Sequence, residues 1–356
     1  MIDEKRNLSK LLHYLQRFGD HNQALLEQLT GIKNVNEIIS QLKPLVIPSP
    51  RSDRLGLQLF HTIIKLPKGS KLQPLDFYYL MDGMITASLK DVITNNTLVL
   101  DVRYPTGRWD FIQLLEMLQE KGLIDEFKSH MEYKREIYPV DYSTFNFESL
   151  TFESSILDKP REPFQLPDLA DDFKVDWVDV VVLGKRQEDP LRSWDEVANS
   201  LGISRDDVVF HYFDHVIGKG LIEAFYVYLG KIDFRLTLII DDVRDEIVRE
   251  LSRIVTLLRV SYLHDDKIYA AIIGQNHMLV QIMNFINILS TNYDFSYKVF
   301  IHPLDPPMRY VVTSSIPYEH FTKENKWSIS LRELKDNLEK ELNRILQGRR
   351  TDFSTL

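Results

Sequence analysis

The chain has 356 residues, of which 44% are hydrophobic and 27% are charged, a composition typical of a globular protein with more than one domain. It contains no cysteine, which excludes disulfides, thiol catalysis and metal sites built from its own thiolates. With a net charge of −9, a charged N-terminus and no apolar run of membrane-spanning length, the sequence favours a cytoplasmic protein over a secreted or membrane protein.

The first half predicts a helical bundle followed by a β-α-β-β-α-β unit. The expected helices of the bundle lie at about 11–18, 22–29 and 34–42. The expected strands and helices of the unit include Gly56–Leu66, 72–83, 109–121 and 126–138. We therefore assign residues 1–54 to a winged-helix-like domain and residues 55–140 to a ferredoxin-like domain.

An acidic stretch separates the two halves. Residues 141–176 hold nine acidic residues against three basic ones, together with Pro160, Pro163 and Pro167. Prolines among scattered aromatic residues are typical of an extended segment. We assign residues 141–174 to an acidic connector that tethers the halves along the surface, with a regulatory role as the alternative.

The second half repeats the order of the first at an offset of roughly 170 residues. Ser193 can cap one helix, Gly202 supplies a turn, and Ser204 with Asp207 begins the next helix in a capping-box-like pattern. A turn and a strand follow at Gly218. This pattern predicts a helix-turn-helix with a wing.

A second β-α-β-β-α-β unit follows this motif. Its expected elements include Phe234–Ile240, 243–255, 277–290 and Tyr293–Ile301. We assign residues 175–230 to a winged-helix domain and residues 231–316 to a ferredoxin-like domain. The predicted fold class is α+β, a duplicated winged helix-turn-helix plus ferredoxin-like (βαββαβ) unit, so that the chain is an internal pseudo-dimer.

Residues 317–356 predict an amphipathic helix and a tail. Leucines recur at spacings of three and four within Ile329–Gln347, with charged residues between them, which indicates one apolar stripe along a helix. We expect this stripe to pack on the chain's own core. A homodimer contact through this helix is the alternative.

The strings Leu201-Gly-Ile-Ser-Arg-Asp-Asp-Val208 and Gly218-Lys-Gly-Leu-Ile-Glu-Ala-Phe225 are similar to the helix-turn-helix and wing entry of the leucine-responsive regulator (Lrp/AsnC) family of bacteria and archaea. The resemblance covers most of the chain as architecture, although that family usually has one copy per chain. It implies winged helices that bind DNA as a two-fold pair and ferredoxin-like units that dimerise and bind small effectors. The family's glycine-marked effector turn has no counterpart here, so a small-molecule effector is left open.

The recognition helix is the second helix of a helix-turn-helix motif. That of the first motif is the better candidate for DNA binding, because residues 33–54 are net basic whereas the recognition helix of the second motif is acidic. The expected phosphate contacts are Lys33, Lys43, Arg51 and Arg54, and the expected base-edge contacts are Asn34, Asn36 and Ser40. The second motif would contribute Ser204, Arg205 and His211.

The sequence indicates no catalytic residue, no cofactor and no metal site. His211 and His215 stand at i and i+4, a spacing that could hold zinc, but no third ligand is apparent, so a solvated or DNA-facing helix surface is expected. One enzyme class, the siroheme decarboxylases, looks like paired Lrp-type halves. The segment Val260–Tyr269 falls where those enzymes place active-site residues, although the Asn-Leu-Trp expected after the turn is missing.

The sequence therefore predicts a cytoplasmic, archaeal or bacterial transcription regulator that binds double-stranded DNA and is not an enzyme. The alternative is an interaction protein that docks on RNA, the ribosome or the transcription machinery, with Asp206, Asp207 and Asp214 facing basic protein. A siroheme-decarboxylase-like enzyme is the third hypothesis.

Overall fold

The computed structural model describes residues 2–166, 173–305, 310–313 and 315–347. The α-helices of these residues are α1 (Ile2–Phe18), α2 (Gln23–Thr30), α3 (Val35–Leu42), α4 (Pro74–Leu80), α5 (Asp110–Glu120), α6 (Trp177–Glu188), α7 (Trp194–Leu201), α8 (Arg205–Phe210), α9 (Asp245–Leu251), α10 (Leu279–Tyr293) and α11 (Leu331–Leu346). The strands are β1 (Leu45–Pro50), β2 (Leu57–Lys65), β3 (Ile85–Lys90), β4 (Thr97–Pro105), β5 (Glu126–Ile137), β6 (Phe145–Asn146), β7 (Thr151–Phe152), β8 (Ile222–Tyr228), β9 (Phe234–Ile240), β10 (Leu257–Leu263), β11 (Lys267–Gly274), β12 (Tyr297–Pro303) and β13 (Tyr310–Val312). Each helix among them is too short or too polar to cross a membrane.

The helix signals of the second motif act as the sequence predicts. Ser193 and Glu196 form a reciprocal capping box at the start of α7, and Gly202 ends this helix in the left-handed conformation. The Ser204 side chain accepts a hydrogen bond from the Asp207 amide at 3.0 Å, which begins α8. Beyond α8 the chain continues as a π-helical turn, His211–Ile217.

Each half contributes a four-stranded antiparallel sheet with ferredoxin-like strand order. The strands run β5-β2-β4-β3 in the first unit and β12-β9-β11-β10 in the second. β13 extends the first sheet beside β3. The predicted fold class, an α+β chain with a helix-turn-helix and a ferredoxin-like unit in each half, is confirmed.

The two sheets are joined along one side and approach each other along the other. β10 pairs with β5 in antiparallel register, with Val260 opposite Glu136. At the other side the Val92 amide donates to the Ile301 carbonyl at 2.8 Å. Ile63 and Val99 of the first sheet pack with Ile239 and other inward residues of the second, so the two sheets bury their inner faces against each other.

The strands of the two winged-helix motifs pair with each other. β1 follows α3, β8 follows the π-helical turn, and their antiparallel register places Leu45 opposite Tyr228. Pro48 lies inside β1, which a two-stranded ribbon tolerates because both of its strands are edges. We call this pair the wing ribbon.

The C-terminal helix α11 packs on the first ferredoxin-like unit. Leu334, Leu338 and Leu342 are buried in the same cluster as Phe77 of α4 and Leu114 of α5. The expectation that the apolar stripe covers the chain's own core is therefore correct. A homodimer contact through the exposed remainder of this helix, which includes Leu346, stays a prediction.

The described part of the acidic connector is anchored to the fold. Tyr142, Phe145 and Phe152 are buried in the main core, and Arg161 donates to the carbonyls of Ser252 and Ile254. The connector's residues 167–172 lie outside the described part of the chain. Several boundaries differ from the sequence expectation. α1 begins at Ile2 rather than near residue 11, α9 ends at Leu251 rather than near residue 255, and α10 extends through Tyr293, so that the last strand begins four residues later than expected.

Candidate functional site

A cluster of charged side chains lies between the two sheets, at one end of their apolar interface. Side chains alternate along a strand, so Asp101 and Arg103 of β4 face inward, while the alternate residues Leu100 and Val102 pack on the helical layer. We call the whole group the arginine cluster. It consists of His61, Asp101, Arg103, Glu132 and Arg135 from the first half and of Glu223, Arg235, Arg259 and Tyr269 from the second.

Asp101 is the centre of the cluster and is only 2% exposed. Its Oδ2 accepts from Arg235 Nη2 at 2.7 Å and from Arg259 Nη2 at 2.8 Å. Its Oδ1 accepts from His61 Nδ1 at 2.7 Å and from the Tyr269 hydroxyl at 3.2 Å. One carboxylate of the first unit therefore holds two arginines of the second, and neither half forms the cluster alone.

A second chain of contacts leads from His61 to the wing ribbon. His61 Nε2 lies 3.3 Å from Glu132 Oε2, and Arg135 Nε lies 3.5 Å from Glu132 Oε1. Arg135 Nε is also 3.3 Å from Glu223 Oε1 on β8. His61 can donate to both of its carboxylates only when both ring nitrogens carry protons.

The electrostatics favour ionised groups at the centre. Burial acts to raise the pKa of Asp101, but Arg259 and Arg235 outweigh it and hold this pKa well below its ordinary value. Burial likewise opposes ionisation of Glu132, yet Arg135 and His61 lower the pKa of that carboxyl to about 2. At the ribbon, burial outweighs the attraction of Arg135 and raises the pKa of Glu223.

A small cavity of about 60 Å³ opens beside these arginines. It is lined by Asp101, Arg103, Arg235 and Arg259 from the sheets, by Pro48, Ser49, Pro50, Tyr226 and Tyr228 from the wing ribbon, and by Thr86, Ala87, Gln187, Leu258, Ala271 and Val312. The Nε atoms of Arg235 and Arg259 are buried without a hydrogen-bond partner among the described residues. Since a buried unsatisfied donor is costly, this geometry is suited to an acceptor that enters the cavity.

Burial lowers the pKa of His302 to about 4, so this imidazole is neutral near neutral pH. Its Nε2 lies 3.2 Å from the Thr237 hydroxyl, which is 3.4 Å from the Tyr269 hydroxyl. The His61 and Tyr269 rings stack at 3.7 Å. Imidazole and phenol groups therefore flank the arginines on the inner face.

The residues predicted for DNA lie outside this cluster. Lys33, Asn34, Asn36, Ser40 and Lys43 are all exposed on or beside α3. This exposure allows a partner to reach them, and their role in DNA binding stays a prediction.

The other predicted DNA contacts are already engaged within the chain. Arg51 and Arg54 lie 3.6 and 3.8 Å from Asp53. Ser204 caps α8, Arg205 lies 3.8 Å from Asp195, and the His211 ring is directed at Asp179 at 2.8 Å.

Sequence reasoning singled out Val260–Tyr269, and the structure places Tyr269 of that segment in the arginine cluster while His264 is exposed at the β10–β11 turn. The other members of the cluster were missed. The available signal was charge inside apolar strands, as with Arg235 within Phe234–Ile240 and Asp101 within Leu98–Tyr104.

The chain has no significant match to a protein-family model or to a curated protein sequence. Among solved structures, the siroheme decarboxylase NirDL matches 94% of this chain and 99% of its own, with a TM-score of 0.50 and 11% identity. NirDL in complex with an iron-uroporphyrin III analogue matches 97% of this chain and 100% of its own, at 0.46 and 11%. A transcriptional regulatory protein of the ASNC family from Pyrococcus furiosus matches 37% of this chain and 90% of its own, at 0.29 and 19%. The chain thus shares its two-unit fold with NirDL.

Proposed function

We propose that this chain binds a small molecule bearing carboxylates in the cavity of the arginine cluster. The observation that carries the proposal is the pair of buried guanidinium Nε donors, on Arg235 and Arg259, that lack a partner at the cavity. The cluster also holds four arginines against three carboxylates, so an anion would balance its charge. Arginine binds carboxylates through charge-assisted and often bidentate hydrogen bonds.

The wing ribbon supports this proposal, because it forms one wall of the cavity. Pro48 and Ser49 of β1 and Tyr226 and Tyr228 of β8 all line it. In a DNA-binding winged helix these strands would form wings that are free to contact DNA. Here β1 and β8 pair with each other and cover the cavity. A cavity of about 60 Å³ holds a carboxylate group, and a larger ligand would require the ribbon to move outward.

A sharper form of the proposal is decarboxylation of a polycarboxylate of the siroheme kind. It is supported by the two-unit fold that the chain shares with the siroheme decarboxylase NirDL and by a site suited to carboxylates. Decarboxylation breaks the bond to the departing carbon dioxide and leaves its electron pair on the remaining carbon, which must then take up a proton from solvent or from a neighbouring acid. At 11% identity the likeness concerns the fold, so the reaction is part of the proposal.

The binding proposal predicts that carboxylates stabilise the purified chain. Acetate, succinate, citrate and siroheme would be titrated by calorimetry, with siroheme also followed by its visible absorption. Arg259→Gln should weaken binding at least about tenfold, because it removes a charge-assisted contact. Tyr228→Phe, which removes one hydroxyl from the cavity wall, should weaken it about two- to tenfold.

The matched control for this titration is Arg253→Gln. Arg253 is a half-buried arginine of the same half that pairs with Glu250 at 3.1 Å and does not line the cavity. The affinity of Arg253→Gln for the carboxylates should equal that of the wild type. The proposal is wrong if none of the carboxylates binds at millimolar concentration, or if both Arg259→Gln and Tyr228→Phe bind like the wild type. Conversion of siroheme, detected as released carbon dioxide, would establish the sharper form.

DNA binding through the first motif is the second candidate function. It is favoured by the exposure of Lys33 and Lys43 at the two ends of α3, where both could reach phosphates. Retention of genomic DNA fragments should weaken steeply with salt, and Lys33→Ala combined with Lys43→Ala should abolish it. Lys121→Ala with Lys128→Ala, which are exposed on the first ferredoxin-like unit, is the control. No retention at low salt would leave the exposed Asp206, Asp207 and Asp214 to a docking role on protein or RNA.

A further inference from the structure

A second cluster of chemically active side chains lies in the second winged-helix motif, outside the arginine cluster. Asp176, Asp179, His211 and His215 each offer one ligand atom, and these four atoms lie within 4.8 Å of one another. The two histidines come from the π-helical turn that follows α8, and the two carboxylates come from the N-cap residue and the first turn of α6.

The carboxylates are held by the backbone of α6. Asp176 Oδ1 accepts from the Asp179 amide at 3.0 Å, and Asp179 Oδ2 accepts from the Asp176 amide at 3.0 Å. This reciprocal capping box fixes both side chains and leaves Asp179 Oδ1 facing the imidazoles. The first turn of a helix also favours negative charge.

The histidines converge on that same oxygen. His211 Nδ1 lies 2.8 Å and His215 Nδ1 lies 3.0 Å from Asp179 Oδ1, and His211 Nδ1 lies 3.5 Å from Asp176 Oδ1. The two rings are 4.8 Å apart in an edge-on arrangement. π-helical turns are rare in proteins, and those that occur are often found at functional sites. This one carries both imidazoles, which contact the same carboxylate oxygen.

Asp179 is the most deeply buried of the four side chains. Asp179 is 0% exposed, and its ion-pair partners within the described residues are the two imidazoles, which carry charge only when protonated. A fully buried carboxylate needs a compensating positive charge or several hydrogen bonds. A divalent cation among the four ligand atoms would supply positive charge directly to this buried carboxylate.

The geometry points to a divalent transition metal, Zn²⁺, held by Asp176, Asp179, His211 and His215. Zinc bonds to imidazole nitrogen and carboxylate oxygen of about 2.0–2.2 Å place the ligand atoms of a tetrahedron roughly 3.3 Å apart. Three of the six separations among the ligand atoms, at 2.8, 3.0 and 3.5 Å, lie near that value, and all six are within 4.8 Å. Two nitrogen and two oxygen ligands suit Zn²⁺, whereas Mg²⁺ and Ca²⁺ prefer oxygen alone.

The bound metal would clamp the π-helical turn to α6. Asp179 lies in the first turn of α6, and Gln187 in its last turn lines the cavity of the arginine cluster, roughly 12 Å further along the helix. Phe173 and Phe210 make edge contacts with the His215 ring and screen the site. The metal is therefore structural: it fixes the orientation of the second winged-helix motif and of the helix that walls the cavity.

The test uses the full-length chain without a polyhistidine tag, stripped with chelator and dialysed. Titration with Co²⁺ alone should give one ion per chain with the intense visible absorption of tetrahedral cobalt, and Zn²⁺ should displace it. His215→Ala should weaken Zn²⁺ binding at least about tenfold. His264→Ala, an exposed histidine at the β10–β11 turn, should bind like the wild type.

His215→Gln guards against a variant that fails to fold, because its amide can still donate to Asp179 but is a poor zinc ligand. It should be folded by circular dichroism and should lack the cobalt absorption. Weak, featureless Co²⁺ binding by the wild type, or equal binding by the wild type and His215→Gln, would overturn the inference. Carboxylate binding at the arginine cluster is measured separately, so either proposal can fail alone.

Discussion

Asp101→Asn should be the most destabilising polar substitution in this chain, costing about 3–5 kcal/mol of the free energy of unfolding. The variant keeps the shape of the side chain but removes the one carboxylate that both Arg235 and Arg259 contact. Two guanidinium groups would then be buried between the sheets without that counter-charge. Urea denaturation near neutral pH measures the loss.

The matched control for this substitution is Asp110→Asn. Asp110 pairs with Arg108 at 2.7 Å in the same half of the chain, but both side chains are partly exposed. Solvent screening limits such a pair to about 1 kcal/mol or less. Equal losses for the two variants would contradict the view that the cluster depends on Asp101 as a buried counter-ion.

The pH dependence follows from the direction of the pKa shift. Burial raises and the two arginines more strongly lower the pKa of Asp101, so its folded value lies below its unfolded value of about 3.9. Its contribution to stability is therefore fully present above about pH 4 and is lost as the pH falls through the folded value. The difference in stability between the wild type and Asp101→Asn should shrink on that acid side.

Individual helices and strands could be predicted from the sequence, because the capping residues and the residue spacing that define them lie within each element. Ser193 with Glu196 and Gly202 define α7 through hydrogen bonds that span only a few residues. Alternation and helical spacing likewise locate β2, β9 and α5 to within one or two residues of the expected bounds. These features depend on neighbours in the chain, and the pattern of neighbours is visible in one sequence.

The sites could not be found in the same way, because their partners are far apart along the chain. The contact of Asp101 with Arg259 spans 158 residues and depends on β5 pairing with β10. Arginines are rarely buried, so a sequence interpretation places them at the surface. His211 and His215 were recognised at helical spacing, but Asp179, which both rings contact, lies 32 residues before His211 on another helix.

The C-terminal helix gives the second large effect. Leu338→Ala should cost about 2–5 kcal/mol, because this side chain is 0% exposed and packs between α11 and the first ferredoxin-like unit, where its removal leaves a cavity. Leu346→Ala is the matched control, since that leucine lies on the same helix but is 69% exposed, and its loss should be within about 0.5 kcal/mol.

This pair of substitutions also separates the two sequence interpretations of the stripe. Packing on the chain's own core predicts that the midpoint of thermal unfolding falls for Leu338→Ala at every protein concentration. If the stripe formed a dimer contact, the midpoint would depend on protein concentration, and Leu338→Ala would weaken self-association instead. Because Leu334, Leu338 and Leu342 face the core that contains Phe77 and Leu114, we expect a loss that is independent of concentration.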